Sequence, residues 1–352
     1  MAGPRVSGTG TSISKMERRD SQSSIFRGGV GGPAEPCTDR SCFTPEEGSS
    51  VVIVDHRKDV RDFLVSRRAR VSPEQAGLPS FGVRRRVPGL RREEVAMLAG
   101  LSVDYYGRLE RGNLAGASES VLEAVARALR LDDAERQHLF DLARSAEAPT
   151  SRRPRRPKSA AAPRPEVTSI LAGMTTIPAY VRTARMEIIA ANELCRALYG
   201  GALEDDRLPV NLARYLFLDP HSRGFFLDWD RVADDLVGSL RVQVGRDPRD
   251  KGLSDLVGEL STRSDEFVVR WARQNVRLHR TARKRLHNRV VGEIELTGNA
   301  LELPGDDLTL IAYTADLGSP AEDQLRLLAS WAATQKTAAQ DGDAAPTSVR
   351  RD

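Results

Sequence analysis

Few side chains in this 352-residue chain are spaced for covalent or metal chemistry. The five His (His56, His138, His221, His279, His287) include no two-His helical zinc motif, and Cys37, Cys42 and Cys195 give neither a metal spacing nor a disulfide framework. Asp228, Asp230, Asp234 and Asp235 surround Trp229, but their helical spacing with Arg231 between them is that of a polar face. No nucleophile elbow, P-loop or dinucleotide fingerprint is present. The sequence therefore predicts no catalytic residue, no metal and no cofactor, and the chain reads as a non-enzyme. What remains is arginine chemistry. Only six of the 53 basic residues are Lys (Lys15, Lys58, Lys158, Lys251, Lys284, Lys336), and Arg presents a fixed fork of donors suited to phosphates and guanine edges. A GC-rich genome gives the same bias, so position matters more than number.

Position is informative. Between Arg61 and Gly112 there are eleven Arg and six acids, whereas Asn113–Ala148 has four Arg and seven acids. The basic character is local, as a DNA footprint requires. Within that basic stretch, Leu90–Gly112 reads as two short helices joined by a tight turn. Val95, Leu98 and Ala99 give i, i+3, i+4 apolar spacing on the first, and Tyr106 and Leu109 repeat it on the second. Ala96 is small enough for a close crossing. Gly100 stands where the chain must leave the first helix with positive φ, and Ser102 is placed to cap the second, over about Val103–Arg111. The spacing fits a helix-turn-helix, whose second helix lies in the DNA major groove, and equally any helical hairpin with a glycine between its helices.

The string EEVAMLAGLSVDYYGRLERG resembles the helix-turn-helix of xenobiotic-response-element (XRE) family repressors, and with its preceding Gly-Leu-Arg-Arg it resembles the MmyB-like branch. Matched position by position, the resemblance implies that Arg92 contacts phosphate at the edge of the site. It also implies that Ser102, Val103, Asp104, Tyr105 and Arg108 face the bases. By type, Val103 suits a thymine methyl, Asp104 a cytosine amino group and Arg108 a guanine. The breaker-rich insertion before the motif carries Arg84, Arg85 and Arg86, either a solvated run or a phosphate and minor-groove contact. MmyB-like regulators are similar there too.

Around that motif, residues 1–56 read as a disordered tail and 57–147 as an all-α DNA-binding domain. Its first helix spans Asp59–Arg70, with Val60, Phe63 and Leu64 inward and Arg61, Arg67, Arg68 and Arg70 outward. Ser118–Leu129 and Asp132–Ala143 close the domain. The opening MAGPRVSGTG lacks the apolar core of a signal peptide, and no apolar run is long enough to span a bilayer, so the expected location is cytoplasmic with no membrane partner. Residues 148–165, with five Pro and six basic residues in Pro149–Pro165, form a semi-rigid linker. Residues 166–334 read as an α+β domain with one antiparallel sheet, and 335–352 as a second disordered tail. Expected strands are Ile177–Arg182, Met186–Ala191, Arg289–Leu296, Ala300–Leu303 and Leu308–Ala315, with turns at Gly298 and Pro304-Gly305. Expected helices include Asn192–Tyr199, Leu212–Leu218, Trp229–Gly245, Ser254–Leu260, Asp265–Arg273 and Pro320–Ala333. The basic run Arg280–Arg285 reads as a solvated turn or partner surface.

This second segment resembles the MmyB-like ligand-binding domain, similar to the PAS fold, through Pro178-Ala179-Tyr180, Asn192, Phe217-Leu218-Asp219, Trp229, Gly245-Arg246-Asp247, Leu256–Leu260, Phe267, Trp271 and Val290-Val291-Gly292-Glu293. Asn288 departs from the proline usual there and is expected only to loosen the strand that follows. Aromatics concentrate here, and Tyr180, Tyr215, Phe217, Phe267 and Trp271 are the candidate lining of an apolar pocket. The resemblance implies a small, fatty-acid-like ligand. The expected function is a sequence-specific regulator that binds double-stranded operator DNA as a homodimer and senses that ligand. The alternative is a C-terminal domain that only dimerises or binds a protein partner.

Overall fold

The computed structural model describes residues 55–78, 87–147, 162–203, 208–277, 281–305 and 307–343, and of 336–343 only the backbone. Most of the tail, the linker and Arg84, Arg85 and Arg86 lie outside these residues.

The first part is helical. α1 (His56–Arg70) starts three residues before its expected origin because Asp55 caps it, accepting from Arg57 N at 3.0 Å. α2 (Arg92–Ala99), α3 (Val103–Glu110), α4 (Glu119–Ala128) and α5 (Asp133–Glu147) follow. Val60, Phe63, Leu64, Val95, Ala96, Tyr106, Leu109, Leu122, Val125 and Leu139 form their shared core. Three expectations for side-chain direction fail, at Leu98, Arg67 and Arg68, the Arg68 side chain being only 16% exposed against Glu110. Leu98 is exposed and Ala96 takes the buried place, since the α2 stripe runs through Val95–Ala96. Arg67, expected outward, is 2% exposed.

The reason for Arg67 lies in the second part. Its guanidinium donates to the Gln274 carbonyl, its Nε lies 2.9 Å from Glu135, and Arg70 Nη2 donates to the Arg273 carbonyl at 3.2 Å. Val242 and Val276 complete the core of the helical part. His138 of α5 stands edge-on to Phe63 at 5.0 Å and fits against Gly245, where an added Cβ would meet its ring at 2.5 Å. Arg246 Nε pairs with the buried Asp141 at 3.4 Å. The helical and α+β parts therefore share an interior through α1 and α5.

The α+β part opens with α6 (Pro165–Gly173), β1 (Ala179–Thr183), β2 (Glu187–Ala191) and α7 (Glu193–Tyr199). Next come a short β3 (Val210–Asn211), α8 (Leu212–Leu218), α9 (Ser222–Phe225), α10 (Trp229–Arg246), α11 (Lys251–Arg263) and α12 (Asp265–Ala272). β4 (Thr281–Asn288), β5 (Gly292–Leu303), β6 (Leu308–Thr314) and α13 (Pro320–Asp343) complete it. The six strands form one antiparallel sheet in the order β3-β2-β1-β6-β5-β4. Period-two alternation decides its two faces. Tyr180, Ile188, Ile294, Leu296, Ile311 and Tyr313 join the large helical core, while Ala179, Val181, Leu308 and Ala312 take α6 on the other side.

Three strand expectations are corrected. From Thr281 on, the basic run is no turn but β4, with Arg283 and Arg285 exposed and Lys284 and Leu286 buried, while Arg280 lies outside the described residues. Gly298 marks no turn: it lies within β5 opposite Tyr313, whose ring would stand 3.0 Å from an added Cβ. Asn288 does not loosen its strand. Buried at 5% exposure, it donates to the Ala197 and Leu198 carbonyls and accepts from Val290 N and Val291 N, tying the β4–β5 turn to the end of α7. The last helix runs ten residues past its expected end.

Candidate functional site

Local chemistry sets the reading helix. Gly100 takes φ +66 at the end of α2, and Leu101 N returns to the Ala96 carbonyl at 2.8 Å. This left-handed closure turns the chain sharply and suits a residue without Cβ. Ser102 then caps α3, its hydroxyl accepting from Tyr105 N at 3.2 Å. Upstream, Glu94 reaches back to Arg91 N at 2.7 Å, so part of the Arg-Arg-Glu-Glu run is a cap for α2. Gly112, at φ +93, lies so close to α1 that a Cβ would fall 2.3 Å from the Arg57 carbonyl oxygen.

The candidate DNA residues of α3 lie on the side of the helix away from the core. Ser102, Val103, Asp104 and Arg108 are exposed and Tyr105 is half-buried, while Tyr106 and Leu109 on the opposite side are fully buried. The Arg108 guanidinium lies over the Tyr105 ring, 4.8 Å from its centroid, which limits its rotamers without using its donors. Arg92 is half-exposed, its Nε held by Glu110 at 3.0 Å.

Glu110 is the residue whose role sequence reasoning missed. It is 1% exposed and binds both Arg92 and Arg68, the latter at 2.8 Å. Arg68 in turn donates to the Leu90 carbonyl at 2.8 Å. The Glu of the closing Leu-Glu-Arg-Gly is therefore a structural counter-ion that orients Arg92. A buried acid inside a polar-looking helix leaves no periodicity signal. Exposed Met97 (62%) and Leu98 on α2 were also missed as surface residues beside α3.

The candidate ligand residues fall in one continuous core but in three places. Phe217 meets Phe267 at 5.2 Å, and Phe267 stacks on Trp271 at 5.5 Å. Tyr215 lies 6.3 Å from both Phe225 and Phe226. Tyr180 faces Tyr199 at 5.9 Å and Tyr313 at 6.3 Å across the sheet. A shallow recess of about 250 Å³ is lined by Arg283, Glu295, Thr297, Asp316 and Gln324, and none of the five aromatics lines it.

Beside Tyr180 lies a polar cluster that the sequence did not reveal. Tyr199 and Tyr313 share a hydroxyl hydrogen bond of 2.7 Å, and Lys284 Nζ approaches the Tyr313 hydroxyl at 3.5 Å. Lys284 is 5% and Arg182 7% exposed, and neither forms a salt bridge among the described residues, Asp235 acting on Lys284 only at longer range. Burial, with Arg182 nearby, pulls the Lys284 ammonium down to about 8, and burial pushes the Tyr199 and Tyr313 phenols well up.

Trp271 links this core to the helical part. The buried Arg241 guanidinium lies 4.0 Å over the Trp271 ring, and Arg241 Nη2 donates to the Trp271 carbonyl at 2.5 Å. Asp59 of α1 is the main acid acting on Arg241. Burial pushes the Asp59 carboxyl up to about 6 against the pull of Arg241. The acids around Trp229 are occupied structurally: Asp230 and Asp234 pair with Arg270, Asp235 with Arg277. Among the described residues no group of His, Cys, Asp and Glu could hold a metal ion, and no helix is long and apolar enough to cross a membrane.

Comparison with known proteins agrees with this geometry. Residues 163–328 match the family model of the MmyB-like transcription regulator ligand binding domain, and residues 64–139 match that of a helix-turn-helix domain. No curated protein matches the chain.

Proposed function

The chain is an MmyB-like transcription regulator with a DNA-binding helix-turn-helix, and from that premise we propose that its PAS-like C-terminal domain senses a small, largely apolar ligand with an acidic head. Val103, Asp104 and Arg108 read base edges in this proposal, with Ser102, Tyr105 and Arg92 at the margin of the site. Arg84, Arg85 and Arg86 supply phosphate or minor-groove contacts nearby.

The observation that carries the ligand reading is Lys284. A buried cation without a salt bridge is costly, and here burial and a second buried cation, Arg182, outweigh the pull of Asp235, which is itself paired with Arg277. A carboxylate arriving among Lys284, Tyr199 and Tyr313 would relieve that cost. The apolar body of the ligand would then lie along Tyr180, Tyr215, Phe217, Phe267 and Trp271, parting aromatic contacts now closed on one another. Occupancy would reach DNA through Trp271 and Arg241 to α1, and through α10 to α5. A ligand moves this equilibrium only by its differential affinity for the two states.

A homodimer completes the proposal, since one such helix reads only a few base pairs and paired half-sites call for two. Leu325 and Leu328 are buried against the core of their own domain, which leaves Leu327 (57% exposed) and Trp331 (39% exposed) on α13 for a partner copy. The regulator would act in the cytoplasm.

Native mass spectrometry of the protein purified from its own host, followed by DNA titration with and without the extracted ligand, tests the reading. A bound acidic lipid that shifts DNA affinity is the expected result. A domain that carries nothing, with DNA affinity indifferent to every fatty acid tried, would move the C-terminal domain to the protein-partner alternative. Light scattering that shows only monomer at micromolar concentration, with and without DNA, would remove the dimer.

A further inference from the structure

Gly107 lies in the middle of α3, where glycine is the least favourable residue short of proline. Neither backbone nor interior explains it. Its backbone is helical and needs no left-handed conformation. Among the described residues, a Cβ added there would meet only Arg111 Nη1, at 3.4 Å, the far end of a flexible and exposed side chain. The fold would accept alanine.

Its place on the helix supplies a reason. At 3.6 residues per turn, with Val103 as origin, Gly107 falls at roughly 40°, Arg111 at roughly 80°, Asp104 at roughly 100° and Arg108 at roughly 140°. Gly107 thus lies between Val103 and Arg111 on the outward side, away from Tyr106 and Leu109 in the core. Val103 is 44% exposed. The Gly107 backbone itself is buried in the free chain, beneath the Arg111 guanidinium that crosses the notch. That cover is the tip of an exposed side chain and can swing away.

We propose that Gly107 is where the backbone of α3 meets a base-pair edge, and that Arg111 belongs to the same reading surface. The proposal rests on the DNA-binding role of α3. Side chains on the outward surface limit how deeply a helix enters the major groove. A missing one lets the chain itself approach, and the apolar step of Gly107 and Val103 fits the C5-methyl of a thymine. Asp104, Arg108 and Arg111 surround that step and fix the register by polar contacts.

The test uses the full-length chain and the duplex that the wild-type protein enriches from a randomised pool. Gly107→Ala is expected to melt at or above the wild-type temperature, because alanine favours the helix, yet to bind that duplex about tenfold more weakly or worse. Replacing thymines one at a time by deoxyuridine should reveal one position where wild type loses affinity and Gly107→Ala loses none. Arg111→Ala should weaken binding without lowering the melting temperature. Gly107→Ala binding as tightly as wild type would overturn the close approach and leave the DNA-binding role standing. Unchanged affinity in Arg111→Ala would remove Arg111 from the surface. Failure of the wild type to enrich any duplex would overturn both the inference and the role it rests on.

Discussion

Replacing Glu110 by Ala tests whether the closing motif of the helix-turn-helix is structural. The side chain is 1% exposed and joins two arginines of unequal burial: Arg68 at 16% and Arg92 at 53% side-chain exposure. Losing a charged hydrogen bond to the well-covered Arg68 costs about 1.5–3 kcal/mol. The Arg92 pair is half in water and adds at most about 1 kcal/mol. Arg68 keeps its bond to the Leu90 carbonyl, so its guanidinium is not wholly orphaned. Alanine's better helix propensity returns a few tenths of a kcal/mol at most. The net expectation is about 3 kcal/mol, and at about 2–4 °C per kcal/mol this lowers the melting temperature by roughly 6–12 °C. Differential scanning calorimetry measures it. Base preference measured well below the transition should survive, since Glu110 touches no base-reading side chain except through Arg92. A melting temperature within about 2 °C of wild type would refute the counter-ion role, because no buried pair of this geometry should be so dispensable.

Arg108→Ala should relax specificity at one base position at a cost of about 1–3 kcal/mol; uniform weakening over all sequences, seen in a mutated-duplex panel, would make Arg108 a phosphate contact instead. Gly245→Val should destabilise the chain by about 1–3 kcal/mol through collision with the His138 ring, and adding His138→Ala should recover part of that loss in a double-mutant cycle followed by urea unfolding. Asp59→Asn probes the carboxyl that burial pushes up to about 6 from 3.8. The native state holds a proton that the unfolded chain releases between about pH 4 and 6, so this group's contribution falls as pH rises through that window. The Asp59→Asn variant should match wild type near pH 4 and exceed it at pH 8 by up to about 3 kcal/mol; equal stability across the range would refute the desolvated carboxyl. Affinity for a straight-chain fatty acid should fall above about pH 8 as Lys284 loses its charge, and Lys284→Met should weaken binding and remove that dependence in calorimetric titrations. Unchanged affinity in Lys284→Met would detach the head group from this cluster.

The parts whose causes are local could be read from the chain before it folds. α2, the turn and α3 were legible because Gly100, Ser102 and the Tyr106–Leu109 spacing act within one or two helical turns of their own positions. Most helices of the second part, and its strands β1, β2 and β6, were legible for the same reason. Their apolar periods are local properties of the chain. Which charges go inside was settled by long-range packing. Arg67 is buried because its acceptor, the Gln274 carbonyl, lies more than two hundred residues away in sequence. Glu110 is buried by Arg68 and Arg92, which come from other helices. β4 escaped detection because, of its buried positions Lys284, Leu286 and Asn288, only one is apolar, so the alternation that marks a half-buried strand is chemically hidden. Gly298 and Gly245 likewise take their meaning from rings brought to them by other strands and helices, Tyr313 and His138. A polar side chain can be buried wherever distant chain supplies its partner. Sequence spacing records period and caps but not that partner, so the sites where charge meets the interior were left to the fold.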